Sequence, residues 1–152
     1  YIDGVQFTCG QSTWDAPTGT RYTWREKEAL PFMQQKGVYT SFSPPERKNY
    51  PMQGFGGEVV ETILGKLYRW SLANDHFGGK LLMVNTVHDC VWFDGLQKLI
   101  EEHAGTIQEI MESVPTVFNK AFPHLNIDVP FPVEGEWGDD MKEMKHIKTN
   151  GE

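Results

Sequence analysis

Long apolar runs are absent from this sequence. No stretch approaches the roughly 18 consecutive apolar residues of a transmembrane helix, and no basic segment followed by an apolar one opens the chain. Cysteine is scarce as well, because Cys9 and Cys90 are the only two, and they form neither a CxxC nor a zinc-binding spacing. We therefore predict two free thiols, no membrane association, no signal peptide and a cytoplasmic location.

Positive charge is also in short supply. The formal net charge is −7, which at first sight argues against a nucleic-acid partner, since binding to phosphates depends on lysine and arginine. The charge is unevenly distributed, however. Residues 1–80 hold nine basic against eight acidic side chains, whereas residues 81–152 hold five against thirteen. A surface that faces DNA is therefore expected mainly in the first half.

The composition of the 152 residues is that of a folded domain. With 39% hydrophobic and 12% aromatic residues, the chain has enough apolar material for a core, and its length predicts a single domain, 1–152. It begins with Tyr1 in a stretch that resembles the middle of a strand. We therefore expect it to be a piece of a longer protein or one subunit of a split protein.

Residues 1–48 predict short strands and long loops, because proline, glycine and threonine interrupt any sustained period. Basic and aromatic side chains alternate here and shortly beyond. Two interpretations remain open for them, a solvated loop face or a surface that follows a nucleic-acid backbone. The residues concerned are Arg21, Tyr22, Trp24, Arg25, Lys27, Arg47, Lys48 and Tyr50.

Helical spacing of apolar residues predicts a helix from about Pro51 to about Asn74, with Asn49 as its cap. Extending that spacing backward turns positions 52, 55 and 56 toward the core and leaves Gln53 outside it. A second helix is predicted from a cap at Asp94 to Pro115, with His103 packed on its apolar face.

A short helix near residues 115–122 and strands near 126–129 and 133–137 complete the prediction. The expected fold class is α+β, an antiparallel sheet with helices packed against one face.

The segment GGKLLMVNTVHDCVWFDG, residues 78–95, predicts a β-hairpin with strands at 80–87 and 90–94. His88 and Asp89 fall at its bend. They are either ordinary solvated turn residues, or a rigidly held pair whose carboxylate meets a metal ion. Two residues taken alone favour the turn.

Three stretches in order resemble the carboxy-terminal palm region of family A DNA polymerases, and the phage replicative members most. They are NYPMQGFGGEVV (49–60), VNTVHDCVWFD (84–94) and DVPFPVEGEWGDDMKEM (128–144), and together they extend the resemblance over nearly the whole chain. The resemblance implies a palm-type antiparallel sheet and a role in template-directed DNA synthesis, in a viral replication system. Its expected partners are primer–template DNA and deoxynucleoside triphosphates.

The resemblance also implies a role for individual residues. Asp89 is expected to hold catalytic Mg²⁺ together with a second aspartate, in a two-metal transfer of a nucleotide to the primer 3′ hydroxyl. His88 is expected to act beside it at the primer terminus. Asn49 and Gln53 are expected near the minor groove of the primer–template duplex, and Arg47 and Lys48 are predicted to bind DNA.

Two departures from the family pattern matter. Cys90 stands where most bacterial members have glutamate, and a thiol is a ligand that Mg²⁺ does not favour, so either that glutamate is dispensable in this branch or the site is impaired. The second metal-binding aspartate and the nucleotide-binding helix have no match in the chain. We therefore expect a missing amino-terminal polymerase portion to supply them, and the chain alone to be inactive.

Two other functions remain possible at this point. A non-catalytic DNA-binding or interaction module derived from the palm is consistent with Cys90 and with the negative net charge. A metal-dependent nuclease needs several carboxylates together, which requires the fold to bring Asp139 and Asp140 to Asp89.

Overall fold

The computed structural model describes residues 10–147, which leaves Cys9 and its predicted free thiol outside the described part. The chain divides between Phe55 and Gly56 into two compact units. Helices and strands mix in the α+β manner that was predicted. In chain order they are β1 (Gln11–Asp15), β2 (Arg21–Arg25), β3 (Lys27–Glu28), α1 (Pro31–Gln34), β4 (Thr40–Ser41), α2 (Pro44–Ala73), a 3₁₀-type turn (Asp75–Gly79), β5 (Leu81–Val87), β6 (Cys90–Gly95), α3 (Gln97–Glu112), α4 (Val114–Ala121), β7 (Glu136–Trp137) and β8 (Lys145–His146).

The strands pair two by two. Within residues 10–147 they form four separate antiparallel ladders, β1 with β2, β3 with β4, β5 with β6 and β7 with β8. These small ladders agree with the α+β class, whereas a single antiparallel sheet covered by helices stays a prediction. No helix in that part is both long enough and apolar enough to cross a membrane.

The first unit is built around Tyr22, whose side chain is only 5% exposed. Its ring stacks between those of Trp14 and Trp24, with centroids 5.8 and 6.3 Å away, and meets the edge of Tyr50 at 6.0 Å. Trp14 and Tyr22 are directly opposite each other in the β1–β2 ladder, which explains the close stacking. Such aromatic pairs contribute about 0.5–1.5 kcal/mol each beyond the area that they bury.

Helix α2 begins seven residues earlier than predicted. Pro44 and Pro45 occupy its first turn, where a proline loses nothing because the first backbone N–H groups have no partner inside the helix. Pro51 lies inside the helix and Asn49 is a helical residue, so the predicted start at Pro51 and the cap at Asn49 are wrong. The predicted end near Asn74 is confirmed, because α2 ends at Ala73.

The core of the second unit follows the helical period. The buried residues of α2 recur every fourth position, as the apolar spacing predicted in part. Beyond α2, the buried side chains come from β5 and α4. The buried positions of this unit are Val59, Ile63, Leu67, Ser71, Leu81, Val114 and Phe118. Positions 52 and 56, which were predicted to face the core, are exposed, and Gln53 is exposed as predicted.

The second predicted helix, from Asp94 to Pro115, is α3 with shorter bounds, Gln97–Glu112, and the short helix predicted near 115–122 is α4, Val114–Ala121. Asp94 belongs to β6, and α3 begins only after Leu96, without a side-chain cap. At the other end Pro115 lies in the first turn of α4, so it starts a helix rather than ending one. The predicted packing of His103 is confirmed, because its ring lies 4.7 Å from that of Phe77 and 5.7 Å from that of Trp70.

The two strands predicted near 126–129 and 133–137 are largely absent, because helix side chains take their backbone hydrogen bonds. The Asn119 amide donates to the carbonyl of Ile127 and accepts from its N–H, at 2.8 and 2.7 Å. Gln108 donates to the carbonyl of Val133, and Glu112 accepts from the Val133 N–H. Only Glu136–Trp137 remains a strand, paired with β8.

A glycine inside α2 reports on the packing of Tyr22. A Cβ atom at Gly54 would overlap the Tyr22 hydroxyl and ring. We therefore expect Gly54→Ala to lower the free energy of unfolding by about 1–3 kcal/mol, because overpacking forces the surroundings to shift. The measurement is urea denaturation followed by circular dichroism.

Gly56, two residues further along the same helix, is the control. A Cβ atom there meets nothing within 4 Å, so Gly56→Ala should raise the free energy of unfolding by about 0.5–1 kcal/mol through helix propensity. Equal effects of the two substitutions would contradict the packing of Gly54 against Tyr22.

Candidate functional site

The hairpin of β5 and β6 holds the His-Asp pair, as predicted. At its base Leu81 is only 1% exposed and pairs with Gly95, where a Cβ atom would lie 2.8 Å from the carbonyl oxygen of Lys80. At its other end Val87 pairs with Cys90, so His88 and Asp89 alone form the bend. A register shift between Met83 and Asn85 marks a β-bulge, which increases the local twist. The base is buried and the bend is exposed.

The bend combines backbone strain with full access to solvent. His88 has φ 56°, in the left-handed region that side chains other than glycine rarely adopt. The side chains of His88, Asp89 and Cys90 are all exposed. Cys90 Sγ donates a weak hydrogen bond to Asp89 Oδ1 at 4.0 Å. The Asp89 carboxylate therefore keeps its capacity to bind another group.

As a metal ligand set, the bend is incomplete. Within residues 10–147 no three His, Cys, Asp or Glu side chains lie together in a way that would hold a metal ion. Mg²⁺ prefers octahedral coordination by oxygen, often with waters and substrate phosphates among its ligands. Asp89 fits as one such oxygen ligand, while the Cys90 thiol does not. The described residues thus supply part of a Mg²⁺ site and not a whole one.

Of the two carboxylates that a nuclease would need beside Asp89, Asp140 is engaged within its own loop. Asp140 Oδ1 accepts hydrogen bonds from the backbone N–H groups of Lys142 and Glu143, at 2.8 and 3.0 Å, and so stabilises its own loop. Neither Asp139 nor Asp140 forms a metal-binding group with Asp89 in the part of the chain that is described. The geometry does not favour the nuclease alternative.

Four predicted DNA-binding residues lie close together in the first part of α2. Arg47, Lys48, Asn49 and Gln53 are all exposed. Asn49 and Gln53 are four residues apart, so they lie on one side of the helix, one turn from each other. Each amide can donate and accept hydrogen bonds. The arrangement presents two adjacent polar side chains to an external partner.

Arg47 and Lys48 line a cleft with Phe42 and Pro44, with a cavity volume of about 340 Å³. The Arg47 guanidinium lies over the Phe42 ring, 5.6 Å from its centroid. A cation stacked on an aromatic face keeps its charge while losing mobility. The cleft therefore offers two positive charges to a negatively charged group.

Two of the predicted basic residues are already neutralised. Arg21 makes a paired hydrogen bond to Asp15, at 2.6 and 2.9 Å, and this bond holds the pKa of Asp15 below and that of Arg21 above its ordinary value. Lys27 forms an ion pair with Glu46. These two cations are less available to phosphates than Arg25, Arg47 and Lys48.

Sequence reasoning missed two side chains near these sites. The first is Phe42, whose ring supports Arg47 although the two residues are five positions apart. An aromatic residue and a cation at that separation give no recognisable sequence pattern. The second is Trp92, which follows Val91 on β6. Its indole N–H is buried without an acceptor within residues 10–147. A buried donor of this kind costs free energy until it finds a partner.

Comparison with protein families, curated proteins and solved structures finds no match to this chain. The functional assignment therefore depends on the motifs and on the geometry of the chain itself.

The strained backbone at His88 leads to a stability prediction. His88→Gly should raise the free energy of unfolding by about 0.5–1 kcal/mol, because glycine adopts positive φ without a steric cost. Asp89→Gly, at the neighbouring position without positive φ, is the control and should lower the stability. Both are measured by chemical denaturation. A destabilising His88→Gly substitution would contradict the strained bend.

Proposed function

We propose that this chain is the palm segment of a family A-type DNA polymerase, and that it contributes the His-Asp motif and primer–template contacts to nucleotidyl transfer in viral DNA replication. The observation that carries the proposal is the bend of the β5–β6 hairpin. A buried base, a two-residue connection and a strained His88 hold an exposed carboxylate in one place. Backbone strain of this kind clusters at functional sites.

Each residue of the bend has a separate role in this proposal. Asp89 provides one carboxylate ligand for Mg²⁺, and His88 contacts the primer terminus. The bound metal ions would supply charge stabilisation at the attacking and leaving oxygens. Cys90 donates a weak hydrogen bond to Asp89, and its thiol is not a ligand in this proposal because Mg²⁺ favours oxygen ligands. The remaining ligands, among them a second aspartate, come from the missing amino-terminal polymerase portion.

The palm-type sheet is part of the same proposal. Within the described residues, β5 and β6 pair only with each other, and a two-stranded hairpin is marginally stable on its own. Several of its side chains are apolar and exposed, with Val84 at 55%. Unpaired edges and exposed apolar residues favour further strands or helices from the complementing portion, which would cover them.

The residues of α2 support duplex binding. Asn49 and Gln53 lie one turn apart and are exposed, and their amides match the hydrogen-bond acceptors that every base pair presents in the minor groove. Contacts of this kind respond to the geometry of a base pair and not to its sequence. Arg47 and Lys48 provide charge for the phosphate backbone. The α2 residues belong to the first unit and the bend to the second, so each set supports the proposal independently.

A second candidate is a non-catalytic DNA-binding module, and the lone carboxylate beside Cys90 favours it. The two functions differ in what Asp89 does. In a polymerase its loss abolishes turnover, whereas in a binding module its loss removes one negative charge near DNA and slightly strengthens binding.

The test combines the chain with a polymerase portion that supplies the missing aspartate and nucleotide-binding helix. Asp89→Asn should lower the single-turnover rate of primer extension by several orders of magnitude, because a carboxylate ligand becomes a neutral amide. Primer–template affinity, measured in parallel by fluorescence anisotropy, should change little.

The matched control is Asp94→Asn, an exposed carboxylate on the same hairpin, five residues beyond Asp89. It should leave the extension rate within about threefold, which corresponds to less than 1 kcal/mol of barrier. A reconstituted enzyme whose rate is equally insensitive to both substitutions would refute the catalytic role and favour the binding module.

A further inference from the structure

The aromatic cluster of the first unit has an exposed part that the proposed function does not use. Trp14 is 46% exposed and Tyr50 is 56% exposed, while Tyr22 between them is buried. Both rings contact Tyr22, with centroids 5.8 and 6.0 Å from it, so they lie no more than about 12 Å apart. They are held by the same buried ring and are therefore presented in a fixed arrangement.

The described part of this unit holds six basic side chains against four carboxylates, so its formal net charge is +2. All four of its carboxylates are engaged: Asp15 with Arg21, Glu46 with Lys27, Glu28 with the Gln34 amide, and Glu26 with the Gly10 N–H and the Thr40 hydroxyl. In contrast, Arg25, Lys36 and Lys48 have no carboxylate partner among residues 10–147. The excess positive charge selects a polyanion as the partner of this surface.

We propose that Trp14 and Tyr50 form a stacking surface for single-stranded DNA, with Arg25, Arg47 and Lys48 binding its phosphates. The identity of DNA as the partner rests on the proposed function, and the single-stranded form is the new element. Exposed aromatic rings stack on bases whose faces are free, which a duplex does not offer. Arg47 is three residues before Tyr50 on α2, so a phosphate site and a stacking site are neighbours on the helix.

The arrangement predicts binding with little sequence preference. Every base has an aromatic face, so stacking on the two rings does not depend on the identity of the base. A spacing of at most about 12 Å fits within the roughly 4–16 nucleotides that one compact single-strand-binding domain covers. In a polymerase, such a surface would hold the unpaired template strand.

The experiment uses the 152-residue chain and a labelled single-stranded oligodeoxynucleotide of mixed sequence, about 12 nucleotides long, with fluorescence anisotropy as the readout. Trp14→Leu, which keeps an apolar side chain but removes the ring, should weaken binding about five- to hundredfold. Trp14→Phe, which keeps a ring, should retain binding within about fivefold. Near-ultraviolet circular dichroism checks that the Tyr22 cluster remains packed in each variant.

Phe32→Leu is the matched control, because Phe32 is 57% exposed in the same unit and belongs to no ring pair with Trp14 or Tyr50. It should bind as the parent chain does. Lys48→Gln should reduce the slope of log affinity against log salt by about 0.7, the value for one phosphate contact on a single strand. A duplex of the same sequence should be insensitive to Trp14→Leu.

Three results would overturn the inference: no binding of the single strand by the parent chain, equal losses for Trp14→Leu and Phe32→Leu, or self-association through Trp14 without binding of the oligonucleotide. None of these measurements requires nucleotide incorporation. Failure of the stacking surface is therefore distinguishable from failure of the polymerase proposal, which is tested through Asp89.

Discussion

The connection between Val87 and Cys90 contains only two residues, and this shortness fixes the register of β5 against β6. Because side chains alternate along a strand, a shift by one residue would expose Leu81, which is the buried anchor of the hairpin. The pairing of Leu81 with Gly95 at one end therefore determines which residues occupy the bend at the other. The packing at the base of the hairpin, about seven residues away, therefore positions His88 and Asp89. Their own side chains are not needed for that packing and remain exposed.

The proposed polyanion-binding surface lies on the first unit of a protein that is acidic as a whole. The second half of the sequence carries a formal charge of −8 and the first half +1. In the first unit, Asp15 and Glu46 are ion-paired while Glu26 and Glu28 accept hydrogen bonds from neutral groups, and the basic side chains outnumber the carboxylates by two within residues 10–55. Tyr22 contributes to this arrangement, because its burial orients the rings of Trp14 and Tyr50. Net charge alone is a poor guide to the partner of a local surface.

The hairpin was predictable from sequence because two β-branched and apolar runs flank a polar pair, and this signal is entirely local. The end of α2 near Asn74 was also predictable, because the helical spacing of apolar residues is likewise a local signal. The start of α2 was not, since Pro51 imitates a first-turn proline although Pro44 and Pro45 occupy the first turn. The strands predicted around Ile127 and Val133 failed for a different reason. Asn119, Gln108 and Glu112 satisfy those backbones from 8 to 25 residues away, and no local pattern encodes that distance.

Some features of the candidate site were likewise predictable from the sequence and others were not. The exposure of Asp89 and Gln53 followed from the turn and from helical spacing, whereas the strain at His88 and the stacking of Arg47 on Phe42 depend on geometry that only folding produces. The absence of further carboxylates near Asp89 within residues 10–147 also required the structure.

We propose that the bend binds a divalent metal ion when DNA is bound. The most direct test is NMR of the labelled chain, joined to the complementing polymerase portion and primer–template DNA, with trace Mn²⁺ in place of Mg²⁺. Paramagnetic broadening should centre on residues 88–90 and disappear in Asp89→Asn. Broadening centred on the acidic segment 139–143, or its persistence in Asp89→Asn, would contradict the placement of a polymerase metal site at this hairpin.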